Sequence, residues 1–415
     1  MSGNVELNPG PGLEQYSKSE LEKALLLCNE DKGDYKIPAG STKNDMIVLL
    51  KAEKRQFVRM ALASVTGLAS SAGTGAQLVS TPSGSTAVPV TTPHTEMPAQ
   101  LRYFGAVHSF SHLYPSQLEW CGRSWTSVEH IYQYAKAYLG EDNQTAGQLN
   151  NGNGIQAKRL SRRIQSKHKF KWFAVREHIM LQLDYEKFKQ NSHLLTKLLG
   201  TGEKQLIEDN RNNTFWGPPC NVAGCILMRL REHFLGRQNV LPSIIIIGDS
   251  LLKFVKTNQM SEKLGVKTAC ISVSGAKLQY IFYALRFIVG DYTKKVVICV
   301  GTNNISTKDN SARVGPKQLI KITSKLAQEF CATNNTCQLL IMPILNRPRN
   351  EQDRIGSHLQ RYNELIKGLG NSGTFPNNCS VLNISGFDCR YFRDGLHLTG
   401  EGTAKLIDMM LPYLA

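Results

Sequence analysis

The chain has 415 residues, 49 Lys+Arg against 33 Asp+Glu, a net charge of +16, 20% charged residues and 8% aromatic residues. This composition excludes a wholly disordered chain, a coiled coil and a collagen, and the length suits about two or three domains. The basic balance points to an anionic partner, either nucleic acid, nucleotide phosphates or an acidic surface; residues 100–237 carry 19 basic and 11 acidic side chains (net +8) and residues 238–415 carry 21 and 12 (net +9).

In chain order, residues 1–12 contain Asn4-Val5-Glu6-Leu7-Asn8-Pro9-Gly10-Pro11. The run resembles the ribosome-skipping peptide of some viruses and non-LTR retroelements, with Asn4 where that family carries Asp. The resemblance implies a retroelement or a gene derived from one. Residues 13–60 read as a small helical module, with helices over 19–27 and 41–50, the second capped by Ser41 or Thr42. Helix, loop and helix here resemble the SAP module, which implies DNA binding; a small interaction module or spacer is the alternative. Residues 61–100 are rich in Ser, Thr, Gly and Pro, with one acid and no Lys or Arg. Such a stretch cannot offset its ordering entropy by burial and is expected to be a flexible linker.

Residues 101–237 read as mainly helical with short extended pieces at the start. Ser124-Trp125-Thr126-Ser127-Val128-Glu129-His130 opens a helix capped by Thr126 or Ser127, and places Glu129 in the first turn, where the helix dipole favours a carboxylate. Ala157-Lys158-Arg159-Leu160-Ser161-Arg162-Arg163-Ile164 forms a basic helix. Lys171-Trp172 starts another, Leu198-Leu199-Gly200-Thr201-Gly202 ends it in a glycine turn, and Phe215-Trp216-Gly217 leads to a last helix over 221–234. From the residues alone, aromatics that stack on a base or sugar and arginines that clamp phosphate stand beside the simpler reading of an α+β core with a solvated basic face.

The order of these motifs resembles the NADAR (YbiA-like) family. It runs through Phe110-Ser111-His112-Leu113-Tyr114-Pro115-Ser116, Ser127-Val128-Glu129-His130, Ala157-Lys158-Arg159-Leu160-Ser161-Arg162, Trp172, Leu198-Leu199-Gly200-Thr201-Gly202, Phe215-Trp216-Gly217 and Leu227-Met228-Arg229-Leu230-Arg231. Members of that family act on nucleotide-like substrates as N-glycosidases, some on ADP-ribose conjugates. The resemblance implies Glu129 as the catalytic carboxylate, Trp172 and Trp216 as pocket walls, and Lys158 and Arg162 near phosphate. His112 replaces the usual Asn. Pro218-Pro219-Cys220 stands where the family carries an acid, so hydrolysis and binding without cleavage both stay open.

Residues 238–415 alternate apolar strand patterns (244–247, 266–273, 296–300, 339–344, 380–384) with helical ones (276–289, 316–330, 352–369), which means βαβ units and a parallel sheet. Sites in such sheets lie beyond the carboxyl ends of the strands. There the sequence puts Gly248-Asp249-Ser250, Ser274-Gly275, Gly301-Thr302-Asn303-Asn304 and Asp394-Gly395-Leu396-His397. These offer a nucleophile in Ser250, a base in His397, an orienting carboxylate in Asp394, and oxyanion donors in the Ser250 and Gly275 N–H groups and the Asn303 amide. The four blocks resemble the SGNH (GDSL-type) hydrolases, with Asn304 where Asp is commoner. The resemblance implies ester hydrolysis, often deacetylation, on an ester that the sequence does not specify.

The expected fold class is therefore multi-domain: a mainly helical α+β NADAR-like domain and a three-layer α/β parallel-sheet SGNH-like hydrolase. No cofactor and no metal is expected, because the ten cysteines show no zinc spacing. They read as reduced thiols of an intracellular protein, in cytoplasm or nucleus. No secretory leader and no membrane span are expected. The expected partners are an ester substrate and an ADP-ribose or nucleotide-like ligand. The competing reading is a retroelement-derived nucleic-acid-binding protein with one or both catalytic domains inactive.

Overall fold

The computed structural model describes residues 99–237, 240–305, 314–347 and 355–415. The skipping-like peptide, the small helical module and all of the expected linker but its last two residues lie outside the described residues. In chain order come strand β1 (Gln100–Tyr103), the hairpin strands β2 (Leu118–Trp120) and β3 (Arg123–Trp125), helices α1 (Val128–Leu139), α2 (Asn143–Gln148), α3 (Gly154–Leu160), α4 (Lys169–Gln190) and α5 (Ser192–Leu199), strand β4 (Gln205–Glu208) and helix α6 (Val222–Phe234). Strands and helices then alternate: β5 (Ile244–Gly248), α7 (Thr257–Leu264), β6 (Thr268–Ser272), α8 (Leu278–Ile288), β7 (Lys295–Cys299), α9 (Thr302–Ile305), α10 (Pro316–Thr333), β8 (Gln338–Ile341), α11 (Gly356–Asn371), β9 (Cys379–Val381) and α12 (Gly400–Leu414).

The described residues divide into two compact units, one of 99–103 with 203–225, the other of 104–202 with the described part of 226–415. In the first, β1 and β4 pair in parallel from Gln100↔Gln205 to Tyr103↔Glu208. Asn221, with φ of 47°, ties down β4: its amide donates to the Leu206 carbonyl at 2.8 Å and its oxygen accepts from the Glu208 N–H at 3.0 Å.

In the second unit, α1 buries Val128, Ile131 and Ala135, and the Ser127 side chain caps it by accepting from the His130 N–H. The basic helix begins earlier than the 157 expected from sequence, because Asn153 and Gln156 form a capping box ahead of Gly154. It gives way to a 3-10 turn over Ser161–Arg163. The long helix expected to end at the 198–202 glycine turn breaks at Asn191, whose backbone leaves the helical region and whose amide donates to the Lys187 and Gln117 carbonyls.

The five-stranded sheet is parallel throughout, in the order β6-β5-β7-β8-β9. Right-handed crossovers then place α7 on one face and α8, α10 and α11 on the other. On the α7 face, Ile244, Ile246, Val297, Cys299, Leu340 and Met342 pack with Met260 of α7 and with Leu406, Ile407 and Met410 of α12. Each such side chain contributes about 1.5–3 kcal/mol when fully buried. The strand order reverses between β5 and β7, and crevices open at such a switch point.

Within this unit an aromatic seam joins α1 and α4 to α8. Tyr138 meets Tyr283 at 5.5 Å and Phe287 at 6.1 Å, ring edge to ring face. Lys171 Nζ sits 5.3 Å over the Tyr280 ring. Just past α8, Asp291 accepts from the Tyr185 hydroxyl at 2.7 Å and from Lys189 Nζ at 2.6 Å. Among the described residues no helix is long and apolar enough to cross a membrane.

Candidate functional site

Two constellations of the second unit contain the residues singled out from sequence, except Trp216, which lies in the first unit. The first gathers at the carboxyl ends of β5, β6 and β7. A Cβ on Gly248 would stand 2.2 Å from the Cys299 carbonyl oxygen, so only glycine lets β5 end this close to β7. The chain then turns sharply. Asp249 caps the 3-10 turn Ser250–Phe254 by accepting from the Leu251 N–H at 2.9 Å. Ser250 opens that turn. Gly275 follows β6 with φ of 70°, and nothing would obstruct a side chain there; the left-handed turn is what calls for glycine.

Asp249 is the hub of this corner. It is 1% exposed, and its carboxylate accepts from Arg347 Nη2 at 3.1 and 3.3 Å, an arginine itself 3% exposed. The Asn303 amide reaches it at 3.5 Å and donates to the Ala276 carbonyl at 3.0 Å. Ser272 Oγ donates to its backbone carbonyl at 3.1 Å. Asn304 faces a different way: it is fully buried, accepts from the Leu278 N–H at 2.9 Å and donates to Gln279 at 2.9 Å, fixing the start of α8.

His397 and Asp394 share one tight loop, closed by the Arg393 N–H on the His397 carbonyl at 2.9 Å and by the bridge Phe392↔Leu398. His397 Nδ1 lies 2.7 Å from Asp394 Oδ2, while Asp394 Oδ1 accepts from the Leu396 and His397 N–H groups at 3.0 and 2.6 Å. Burial raises the Asp394 carboxyl, but the His397 ring and these backbone donors together outweigh it and hold the group at about 2. An ionised Asp394 fixes the proton on Nδ1 and leaves Nε2 as the acceptor, the tautomer a base requires.

The imidazole meets Phe254, the last residue of the turn that Ser250 opens, edge to face at 6.2 Å. Among the described residues neither the Ser250 hydroxyl nor His397 Nε2 makes a hydrogen bond; such bonds are often open in unliganded sites. A groove of about 900 Å³ runs from Phe254 and Leu398 along α7 and α12, with Lys256 and Arg393 on its walls. Asp249 as a hub and Arg347 escaped the sequence reading. A lone arginine in Asn346-Arg347-Pro348 reads as solvated loop, and only its burial shows otherwise.

The second constellation surrounds Glu129. Its residue is 5% exposed, yet Lys158 Nζ lies 3.0 Å from Oε1 and Gln133 donates to the same oxygen at 2.8 Å. Burial pushes the carboxyl up, but Lys158, Gln133 and the nearby His112 together hold it below the usual carboxylate range. The Glu129 N–H donates to the His112 carbonyl at 2.9 Å, and the His112 ring pairs with buried Asp184 at 3.0 Å. Lys187, fully buried, donates to the Ser111 carbonyl at 2.8 Å; burial lowers its ammonium, partly countered by Asp184, to about 8.

Trp172 is buried and packs edge to face on Tyr132 at 4.9 Å, one helical turn from Glu129 in α1. Arg162 is exposed in the 3-10 turn. Trp216 belongs to the first unit, where it stacks edge to face on Phe215 at 4.8 Å and its N–H donates to Asn213 at 3.1 Å. Among the described residues no group of His, Cys, Asp or Glu is arranged to hold a metal ion.

The family model described as the NADAR domain matches residues 102–235. A riboflavin biosynthesis protein of Vibrio vulnificus is 34% identical over 132 residues, 30% of this chain and 35% of that protein, so the chain spans about a third of the length of this relative. The N-glycosidase YbiA of Escherichia coli is 29% identical over 117 residues, 27% of this chain and 72% of that protein. Among solved structures, YbiA of E. coli aligns at 24% identity with a TM-score of 0.31, over 34% of this chain and 88% of that one. The lipase/acylhydrolase of Enterococcus faecalis aligns at 15% identity with a TM-score of 0.34, over 42% of this chain and 95% of that one.

Proposed function

We propose that the Ser250 corner is a serine ester hydrolase site. The observation that carries the reading is the 2.7 Å bond from His397 Nδ1 to Asp394, in a loop that sets the imidazole against the turn that Ser250 opens. Ser250 Oγ attacks the ester carbonyl and its proton passes to His397 Nε2. The Ser250 and Gly275 N–H groups stabilise the oxyanion, and the Asn303 amide joins them by giving up its bond to the Ala276 carbonyl. The alcohol leaves with the proton from His397, and water, deprotonated by the same ring, releases the acid from Ser250. The test is hydrolysis of 4-nitrophenyl acetate by the full chain and by Ser250→Ala. Equal rates would remove the esterase reading.

A second reading concerns the segment that matches the NADAR domain: it binds, or N-deglycosylates, an ADP-ribose-like or nucleotide-like ligand through Glu129. A carboxylate that is buried and still kept ionised supports it, since such a group can stabilise positive charge developing on a ribose. The full chain is incubated with ADP-ribose, NAD and ribosylated base intermediates, and released base is measured. Release that disappears in Glu129→Gln supports hydrolysis. Protection from heat unfolding without release supports binding alone. Neither effect would remove the reading.

A further inference from the structure

Between Lys158 and Lys171 the sequence has seven Lys or Arg and no Asp or Glu. The run forms an exposed surface over the last turn of α3, the 3-10 turn and the start of α4, with six of its seven cations exposed. Some of the charge is used locally: Lys158 pairs with Glu129 at 3.0 Å, and Lys167 and His168 pair with Glu141 at 3.6 and 2.9 Å. Asp142, the other acid nearby, is occupied with the N–H groups of Thr145 and Gln165. Arg159, Arg162, Arg163 and Lys169 are exposed and make no ion pair among the described residues.

Two further observations separate this face from an ordinary solvated one. Cations crowd locally: the Lys136 ammonium is lowered first by burial and then by the charge of Lys158, is raised in part by Glu129, and is lowered again by Lys169. In addition, Phe170 is 78% exposed, between Lys169 and Lys171, although Trp172 two residues on is buried. A flat ring left in water amid unpaired cations is the layout that stacks an unpaired base while its phosphates are held alongside.

We propose that this face binds single-stranded nucleic acid, with Phe170 stacking a base and Arg159, Arg163 and Lys169 holding the flanking phosphates. A duplex does not offer a free base face to Phe170. A lipid surface needs a continuous apolar stripe, whereas the exposed large apolar side chains of α3 and α4 are Ile155 and Phe170.

The experiment is fluorescence anisotropy of a short labelled oligothymidylate with the full chain, across a salt series. The four unpaired cations give an expected slope of about −3 in log K against log salt. Reversal of three of them (R159E, R163E, K169E) is expected to cut affinity about 100-fold or more and to flatten the slope to about −1. Phe170→Ala is expected to weaken binding by roughly 5- to 100-fold with the slope unchanged. All of these positions are exposed, and an unchanged unfolding temperature confirms that each variant folds. The proposal is overturned if wild type does not bind at low salt, if either variant binds as wild type does, or if heparin, a duplex or anionic vesicles compete as well as the single strand. Esterase and N-glycosidase rates are read separately, so failure here leaves those readings standing.

Discussion

Asp394 lies half exposed and is kept ionised by donors from its own loop, two backbone N–H groups and the ring of His397. Glu129 is buried and is kept ionised by a lysine reaching over from another helix, with Gln133 beside it. The first arrangement is local and encoded in four consecutive residues, so it needs little from the rest of the fold. The second depends on α1 and α3 packing correctly, and solvent screens its lysine, which is 51% exposed. The first corner has a second carboxylate, Asp249, buried and paired with Arg347. The Ser250 corner thus holds two carboxylates of different kinds: an exposed one bonded to the His397 ring, and a buried one that fixes the turn opened by Ser250 and the amide of Asn303.

The comparison can be broken at four points of decreasing weight. Ser250→Ala is expected to lower 4-nitrophenyl acetate hydrolysis by about 10⁶-fold, to the residual rate that binding and the oxyanion donors sustain, with base release from nucleotide-like ligands unchanged. Coupled losses would mean that the corners are not separate. Arg347→Met leaves Asp249 charged and buried without its partner, and is expected to cost about 3–5 kcal/mol in urea unfolding. Loss below 1 kcal/mol would show that Asp249 is not a structural hub.

Lys158→Met tests the dependence of Glu129 on its neighbour. Lys158 lowers that carboxyl, so its removal raises it, and the acid limb of any Glu129-dependent rate moves to higher pH. The linkage has the matching sign: a depressed carboxyl contributes stability above its unfolded value that is lost as pH falls through its folded one, so Lys158→Met narrows the acid side of the stability profile. An unmoved pH profile would assign the ionisation to Gln133 and His112. Last, Ser127→Ala removes the cap of α1 and is expected to cost about 1 kcal/mol in thermal unfolding, with esterase rates intact.

Much of this was legible in the sequence, for a reason visible in particular residues. The turns after β5, β6 and β7 are short, and their glycines and caps are local chemistry, so the apolar runs were enough to put Ser250, Gly275 and Asn303 at the strand ends. The loop joining Asp394 to His397 is as local, and its bond lies where a spacing of three puts it. Strand ends also fell within a few residues, because Ile244–Ile247 and its neighbours are buried on both faces and read as continuous apolar runs.

What stayed hidden was non-local. Nothing near Arg347 in the chain indicates that it ends beneath Asp249, 98 positions earlier. The break of the long helix at Asn191 depends on Gln117, on a distant hairpin. Asn304, a mere variant of a motif in the sequence, proves to hold α8, a role that only the tertiary register of α8 against β7 assigns.

The aromatic seam between α1, α4 and α8 bears on how this chain could be inherited or divided. Tyr138, Tyr283 and Phe287 each cover apolar surface that the other segment would otherwise expose to water, and paired rings add about 0.5–1.5 kcal/mol apiece beyond that burial. A gene rearrangement that parted the chain near residue 237 would leave two sticky faces in place of one sealed joint, each a liability for aggregation. A substitution on α8 can therefore disturb the neighbourhood of Glu129 without touching it. Changes in the two segments are expected to be coupled most strongly across that joint.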